Sequence, residues 1–307
     1  RRIAAYMAQE LKSFSDHQLR DFLSRHRLPK EFRSTAERYY LPLARRLPGY
    51  RGDSKTLYLG INGAQGTGKS TLADLLSVAA TSLFGWTVAV LSIDDFYFTR
   101  EEREKLAEEV HPLLKVRGVP GTHDTGMLKQ CIEQLHAANS GDEVALPRFD
   151  KSIDDRADQS TWPIVSGPVD LIILEGWCIG TRAQRDAELR QAINELERDE
   201  DPDGAWRNYV NDQLELHYAK IFSALDKLVF LRAPSFEAIH RWRLEQEEKL
   251  AAKSSHDATQ LMNEAQVTRF IQFFERLTRA NLATLTDVAD IVFDLDETHA
   301  VASAREA

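Results

Sequence analysis

The octapeptide GAQGTGKS, at residues 63–70, has residue types and a spacing that can bind phosphate. It fits the pattern G-x-x-x-x-G-K-[ST], in which glycines let the backbone turn tightly and bring its N–H groups up to phosphate oxygens. Lys69 can reach the outer phosphates of ATP, and Ser70 can offer its hydroxyl to Mg²⁺. The predicted ATP-binding residues are Gly63, Ala64, Gln65, Gly66, Thr67, Gly68, Lys69, Ser70 and Thr71.

The sequence context of the octapeptide favours this interpretation over an ordinary glycine-rich loop. An apolar run at residues 56–62 precedes it, and Leu72, Leu75, Leu76 and Ala79 follow it at helical spacing. A helix that starts near Lys69 would direct its positive end at the same phosphates. The pattern therefore predicts a strand, a phosphate-binding loop and a helix.

A phosphate-binding loop alone does not separate kinases from GTPases, ATPases or motor proteins, but the end of the next apolar run does. It reads SIDDFY at residues 92–97, and a carboxylate there can orient a hydroxyl group and accept its proton. Asp94 is predicted to have this role. Asp95 is the reserve, and it could instead cap the next helix or bind Mg²⁺ through water. The alternative is that both form only a turn.

Two further charged groups fall where a phosphotransferase needs them. Glu175 ends a run of apolar residues, where it can bind Mg²⁺ through water or hold a substrate hydroxyl; the alternative is a capped turn. Arg243, with Arg241 as a second candidate, can cover charge on the transferring phosphoryl group. Spacing alone fits a solvated helix with Arg–Glu pairs equally well. The predicted catalytic residues are Asp94, Lys69 and Arg243, and the predicted Mg²⁺ ligands are Ser70 and Glu175.

The stretch between the second and third apolar runs is polar, basic in places and rich in turns, which favours an acceptor pocket above the edge of the sheet. Its four cationic candidates can neutralise a carboxylate if they meet in one pocket, although each alone is more often a surface residue. They are Arg117, His123, Lys151 and Arg156. The predicted substrate-binding residues are Asp95, Tyr97, Arg117, His123, Asp124, Lys151, Arg156 and Glu175.

Five short apolar runs must position these residues. They cover residues 56–62, 87–93, 170–175, 227–231 and 290–295. The runs are almost continuously apolar and helical stretches separate them, which is typical of parallel strands covered on both faces. The sequence predicts an α/β fold of the P-loop NTPase type, with a doubly wound, parallel, five-stranded sheet, helices on both faces and an N-terminal helical cap.

The predicted domain organisation is an N-terminal helical extension at residues 1–50, packed on a P-loop domain at residues 51–300. In the extension, Leu11, Phe14, Leu19, Phe22 and Leu23 recur roughly at helical spacing, and a second helix at residues 36–47 has a possible kink at Pro42. Acceptor and lid insertions are expected at about 100–165 and 180–285. Aromatic stripes at residues 206–225 and 267–277 should face the core. The charged stretch at residues 182–204 should be a solvated loop or helix end.

Composition restricts the class of protein. The chain has 307 residues, 43% hydrophobic and 28% charged, as in globular proteins with a core. The two cysteines have no disulfide or metal-site spacing, which favours a reducing, cytoplasmic location. A net charge of −9 argues against a nucleic-acid partner, and no apolar run approaches the roughly 20 residues of a membrane span. No secretory signal is visible, and the chain begins at Arg1 rather than at Met, which leaves open whether a segment precedes it.

The chain resembles P-loop kinases of the phosphoribulokinase and uridine kinase group, and within that group the D-glycerate 3-kinase family of plants, fungi and bacteria. The resemblance covers most of residues 35–299. The motifs that carry it are YYLPLA at 39–44, GAQGTGKST, SIDDFY, RGVPGTHD, RFDKS followed by DR, LEGWCIG at 174–180, WRLEQE at 242–247 and FDLDETH. Together, the motifs outside GAQGTGKST are more specific than that loop.

The resemblance implies ATP and Mg²⁺ as cofactors and phosphoryl transfer to a hydroxyl of a small metabolite, D-glycerate first. It places Asp94 as the base, Arg243 on the arginine of the WRL motif, and adenine contacts near residues 290–299. Another small acceptor, such as a nucleoside, a pantothenate-like acid or a sugar, stays open, as does a nucleotide-binding regulator without catalysis. The oligomeric state is open too. The set of Asp94, Glu175 and Arg243 favours the enzyme, because a regulator needs no acceptor carboxylate.

Overall fold

Residues 14–253 and 262–306 are described by the computed structural model, without the side chains of residues 249–253. Leu11, and with it the first part of the predicted N-terminal extension, lies outside the described residues. Within them, six strands form one sheet in the order β6-β5-β4-β1-β3-β2. The strands are β1 (Leu57–Gly63), β2 (Val88–Ser92), β3 (Leu171–Gly176), β4 (Lys227–Arg232), β5 (Ile291–Leu295) and β6 (Val301–Glu306).

All five predicted strands are present, and they pair in parallel. The predicted count of five is wrong, because β6 pairs antiparallel with β5 and adds an edge strand. Five of the six residues of β6 are exposed, so its sequence VASARE has no apolar run that marks a strand. Polar residues of this kind are typical of an edge that must not pair with other chains.

Helices cover both faces of the sheet. The longer ones are α1 (Asp16–Arg25), α2 (Leu41–Arg51), α3 (Lys69–Phe84), α4 (Arg100–Glu109), α5 (Thr125–Ala137), α6 (Ala205–Gln213), α7 (Phe236–Lys253) and α8 (Glu264–Thr284). Alternate strand residues enter different cores: Leu59 packs with α2, α3 and α7, whereas Tyr58 packs with α5, α6 and α8. The predicted doubly wound α/β architecture is therefore confirmed.

Shorter elements connect these helices and strands. Four-residue α-helices lie at Phe32–Thr35, Asp186–Leu189 and Ala219–Phe222, and a six-residue one at Glu195–Glu200. Turns of 3₁₀-helix lie at Ile93–Phe96, Pro112–Lys115, Gln159–Thr161 and Leu285–Asp287. Two small antiparallel pairs join Glu143–Ala145 to Ile164–Ser166 and Phe149–Asp150 to Asp155–Arg156. The second pair carries the loop with Lys151 towards the end of β2.

Two π-helical turns interrupt the helical segments. One, at Ala36–Tyr40, follows the short helix Phe32–Thr35 and leads directly into α2, whose second residue is Pro42. Pro42 has no N–H to continue the hydrogen bonds of the preceding turns, and the helix type changes beside it. The irregularity predicted at Pro42 is therefore a π turn just before it. The other, at Leu214–Tyr218, continues α6; most of the aromatic stripe on this segment is buried as predicted, Trp206 and Tyr218 included, and Tyr209 is half-buried.

The charged stretch at residues 182–204 is not simply solvated, and that prediction is wrong for two of its acids. Glu197 and Asp201 are buried. Glu197 pairs with Arg276 of α8 at 2.6 Å, and Asp201 pairs with Arg207 of α6 at 2.9 Å. Both arginines lie outside residues 182–204, so the charges within that stretch could not predict these ion pairs. Removing one partner would leave a buried charge uncompensated.

Candidate active site

The carboxyl ends of β1, β2 and β3 bring the predicted catalytic groups together. In the register of the sheet, Glu175 of β3 lies between Ile61 of β1 and Ser92 of β2. The chain then leaves β1 into the phosphate-binding loop and leaves β2 into the turn that contains Asp94. This is the edge of a doubly wound sheet at which ligands bind.

The shape of the phosphate-binding loop depends on its glycines. Gly66 and Gly68 have φ angles of +82° and +84°, which residues with a Cβ rarely adopt. A Cβ at Gly63 would overlap the hydroxyl of Thr67, which donates to the Ala64 carbonyl at 2.8 Å. Helix α3 begins at Lys69, so its free N–H groups face the loop. The loop thus has the backbone geometry of an anion site.

Ser70 and Glu175 meet as the predicted Mg²⁺ ligands should. The hydroxyl of Ser70 donates to Glu175 Oε1 at 3.0 Å. Glu175 Oε2 is buried and has no hydrogen-bond partner among the described residues. An unpaired buried carboxylate oxygen fits a hydrated cation. Mg²⁺ takes few protein ligands beside phosphates and water, and in the described part of the chain no group of three or more His, Cys, Asp or Glu side chains is arranged to hold a metal ion by itself.

Asp94 lies at the centre of a charged network. Its carboxylate accepts a hydrogen bond from Lys151 Nζ at 2.7 Å and another from the Tyr97 hydroxyl at 2.9 Å. Burial raises the pKa of Asp94, but the charges of Lys151 and Lys69 and the hydrogen bond from Lys151 outweigh it and hold this pKa at about 2. Asp94 is therefore ionised at any working pH and can accept a hydrogen bond from a hydroxyl group.

Asp95 faces a different set of groups. Its carboxylate accepts from the Phe149 backbone N–H at 3.3 Å and from Arg148 at 3.2 Å. Burial raises the pKa of Asp95, and Arg148 opposes this rise. These contacts hold the short strand Phe149–Asp150, and with it Lys151, beside the end of β2. The geometry suits Asp95 for positioning Lys151 rather than for contacting a substrate.

His123 is buried in the same region, with 2% of its surface exposed. Its ring stacks on Tyr97, with 4.5 Å between centroids and 21° between planes. Burial lowers the pKa of His123 to about 4, although the Asp94 carboxylate raises it in part. The imidazole is therefore neutral near pH 7. It can supply a hydrogen bond to a substrate, but not the positive charge that the sequence predicts for it.

Burial of a neutral His123 should make the fold sensitive to acid. Its pKa is about 4 in the folded chain against the ordinary 6.5, so between these values only the unfolded chain takes up the proton. The free energy of unfolding should then fall as the pH drops from 6.5 to 4, by about 3 kcal/mol. Urea unfolding across this window should show a flatter pH dependence in His123→Gln. The exposed His17→Gln should keep the steep dependence, and equal slopes in both variants would contradict the prediction.

Arg117, Arg156 and Asp124 already have protein partners. Arg117 pairs with Asp154. Arg156 lies 3.5 Å from Asp124, whose other oxygen caps α5 by accepting from the Met127 N–H at 2.8 Å. Arg156 Nε is buried without a hydrogen-bond partner in the described structure. Among the four predicted acceptor-site cations, Lys151 is the one that binds Asp94 directly.

Arg243 lies on α7 and has contacts outside the Asp94 network. It pairs with Glu247 and lies over the ring of Phe270 at 5.5 Å. Arg241 pairs with Glu297. Arg243 and Glu247 form the i,i+4 pair of the helical alternative, but both side chains are largely buried, and Arg241 pairs with a residue beyond β5, so the solvated helix is matched only in part. A contact of Arg243 with a phosphoryl group stays a prediction.

Trp242, between these two arginines, reaches the phosphate-binding loop. A Cβ on Gly66 would lie 3.3 Å from Trp242, and His299 stacks on the indole at 4.2 Å. His299 Nδ1 also lies 2.9 Å from the Gly66 carbonyl oxygen. Sequence reasoning missed Trp242. The resemblance indicated the region around residues 290–299, but nothing in the spacing connected it to Gly66.

Within the described residues, none of the helices combines the length and the apolar character that a membrane crossing requires. The cytoplasmic location stays a prediction.

A phosphate-binding loop on the first strand, a strand-end carboxylate beside it and a Ser–Glu pair between them define a P-loop kinase. No protein-family model matches the chain. It is 33% identical over 235 residues to the uncharacterized kinase mug58 of Schizosaccharomyces pombe, covering 72% of this chain and 79% of that protein. It is 32% identical over 246 residues to the chloroplastic D-glycerate 3-kinase of Arabidopsis thaliana, covering 76% of this chain and 49% of that protein, so the match spans about half the length of the plant enzyme.

A solved structure agrees with these relatives. The D-glycerate 3-kinase of Cryptococcus neoformans superposes with a TM-score of 0.72 at 25% identity, covering 91% of this chain and 100% of that one. The chain belongs to the D-glycerate 3-kinase family of P-loop kinases, the family that the sequence motifs indicate. It is accordingly an ATP-dependent phosphotransferase.

Proposed function

We propose that this kinase transfers the γ-phosphoryl group of ATP to a hydroxyl of a small hydroxy acid, with D-glycerate as the first choice and 3-phosphoglycerate as its product. The observation that carries the proposal is Asp94, ionised and held by Lys151 and Tyr97 beside the phosphate-binding loop. The names of the plant and fungal relatives support the substrate.

Each group at the site has a separate role in phosphoryl transfer. Backbone N–H groups of residues 63–70 and the Lys69 ammonium bind the phosphates and neutralise charge as the phosphoryl group moves. Ser70 and Glu175 would hold Mg²⁺, which supplies further neutralisation when bound. Asp94 accepts the hydrogen bond of the incoming hydroxyl, orients its oxygen towards the γ-phosphorus and takes its proton as the new P–O bond forms, while the bond from the γ-phosphorus to the β,γ-bridging oxygen breaks and ADP leaves. A weak base suffices, because the hydroxyl becomes acidic only late in a loose transition state.

An acceptor rich in oxygen atoms suits the groups around Asp94. His123 Nε2 and Arg156 Nε are both buried and lack hydrogen-bond partners within the described residues. Lys151 keeps more than half of its side chain exposed and adds a positive charge. A hydroxy acid would offer oxygens to such groups, whereas an apolar acceptor would leave them unpaired.

Acceptor-dependent release of ADP tests the proposal. We expect D-glycerate to raise the rate with Mg-ATP at least tenfold above the rate without acceptor, a rise that P-loop kinases achieve by orienting the hydroxyl. L-glycerate, glycerol, a nucleoside, pantothenate and a hexose complete the panel. Mass spectrometry of the product identifies the phosphorylated hydroxyl.

Other outcomes would correct the proposal at defined points. Stimulation by a nucleoside or sugar would keep the mechanism and replace the substrate. ATP turnover that ignores every acceptor would favour a nucleotide-binding regulator. A nucleotide-binding regulator, however, would not require an ionised Asp94 held beside the phosphate-binding loop.

A further inference from the structure

The two ring nitrogens of His123 have different surroundings. Nδ1 lies 2.7 Å from the hydroxyl oxygen of Tyr218, whereas Nε2 is buried and has no hydrogen-bond partner in the described chain. In a neutral imidazole one nitrogen donates and the other accepts. The hydrogen bond of Nδ1 therefore decides whether Nε2 donates or accepts.

The hydrogen bonds of Tyr218 decide which nitrogen of His123 carries the proton. Its side chain is fully buried, and its oxygen accepts a hydrogen bond from the Gly121 N–H at 3.0 Å. If the hydroxyl donates to Nδ1, the only group left unpaired is the proton on Nε2. If Nδ1 donates instead, both the hydroxyl hydrogen of Tyr218 and the lone pair of Nε2 are unpaired. An unpaired buried hydrogen-bonding group is destabilising, so the first arrangement, which leaves fewer such groups, is favoured.

The segment that carries His123 is tied to the segment that carries Asp94. The Asp124 N–H donates to the Phe96 carbonyl at 2.7 Å, and the Phe98 N–H donates to the Thr122 carbonyl at 2.9 Å. Between these bonds, the ring of Tyr97 stacks on His123 while its hydroxyl donates to Asp94. Tyr97 thus contacts both the imidazole and the carboxylate that receives the acceptor hydroxyl.

We propose that Tyr218 is a positioning residue, which holds the proton of His123 on Nε2, and that this N–H donates to a second oxygen of the acceptor substrate. The inference rests on the proposed phosphoryl transfer to a hydroxy acid. It adds the reason why such a substrate is preferred to a simple alcohol: a buried neutral donor requires an oxygen beside the reacting hydroxyl. For a hydroxy acid, the oxygen belongs to the carboxylate or to the neighbouring hydroxyl.

Steady-state kinetics of four variants test the proposal. Tyr218→Phe should raise the KM for D-glycerate about tenfold and leave the KM for ATP within twofold, because it removes the hydrogen bond that selects the tautomer. Tyr209→Phe removes another partly buried hydroxyl of the same helical segment and should change neither constant. His123→Gln can place an amide N–H where Nε2 lies and should keep most of the affinity. His123→Asn reaches only the position of Nδ1 and should lose it.

The tautomer has a readout that does not depend on turnover. In ¹⁵N NMR spectra of the wild type, assigned by comparison with His123→Gln, Nε2 should carry the proton, and Tyr218→Phe should give a mixture of tautomers. A proton on Nδ1 in the wild type would overturn the proposal, as would an unchanged KM in a folded Tyr218→Phe. If wild type ignored D-glycerate while Nε2 carried the proton, the proposed substrate would fail and the tautomer assignment would stand.

Discussion

Asp94→Asn should lower kcat by about 100-fold or more, the range for loss of a positioned base. Asparagine keeps the size of the side chain and an oxygen for the Tyr97 hydroxyl, which donates to Asp94 at 2.9 Å. It cannot take a proton, and it loses the charge attraction to Lys151. Rapid-quench and steady-state measurements at saturating ATP and acceptor should place the loss in the chemical step, with ATP affinity changed little.

Asp95→Asn provides the matched comparison. Asp95 binds the Phe149 N–H and Arg148, and an amide oxygen can still accept one of these hydrogen bonds. Its effect on kcat should stay below about tenfold, the cost of one weakened hydrogen bond. A larger loss in Asp95→Asn than in Asp94→Asn would reverse the two roles. Near-full activity of Asp94→Asn would remove Asp94 as the base.

Lys69→Met should have a still larger effect and lower kcat/KM for ATP about 1000-fold, the upper range for one group that stabilises transition-state charge. Methionine keeps the unbranched chain at the start of α3 but removes the ammonium. No hydrogen bond or ion pair engages Lys69 within the described residues, so the charge is free to meet phosphates. Its loss should also weaken the hold on the Asp94 pKa, to which Lys69 contributes.

Lys55→Met is the control for the loss of a lysine charge. Lys55 lies just before β1, at the opposite end of that strand from the phosphate-binding loop, and donates to the Ala138 carbonyl at 3.0 Å. Its kcat/KM should stay within twofold of the wild type. If Lys69→Met retained more than a tenth of the activity, another cation would have to bind the transferring phosphoryl group.

Much of the fold could be predicted because the parallel strands are buried on both faces. A run such as LIIL in β3 has to be apolar throughout. Each of the five predicted strands starts within one residue of the start observed in the structure. The edge strand β6 has no such requirement, and its polar residues resemble a loop. The buried Glu197 and Asp201 resemble solvent-exposed residues for a related reason: their arginine partners, Arg276 and Arg207, lie outside the charged stretch.

The same distinction applies to the candidate site, where residues at strand ends could be predicted and residues placed by long-range packing could not. The loop around Lys69 and the acids Asp94 and Glu175 could be predicted, because each lies at or just after the carboxyl end of an apolar strand. Tyr218 could not, because a tyrosine in an aromatic stripe has the pattern of any core residue. Its role depends on a hydroxyl that meets His123 from 95 positions away. Trp242 and His299 likewise become site residues only through the packing of α7 and the end of β5 on the loop.

The contact between His299 and the carbonyl of Gly66 also has a consequence for synthesis of the protein. The two residues are 233 positions apart, so a ribosome adding 5–20 residues per second needs roughly 10–50 s to make the second after the first. During that interval the phosphate-binding loop exists without the wall that Trp242 and His299 form beside it. A nascent chain should therefore gain full affinity for ATP only after residues 242–299 have left the exit tunnel.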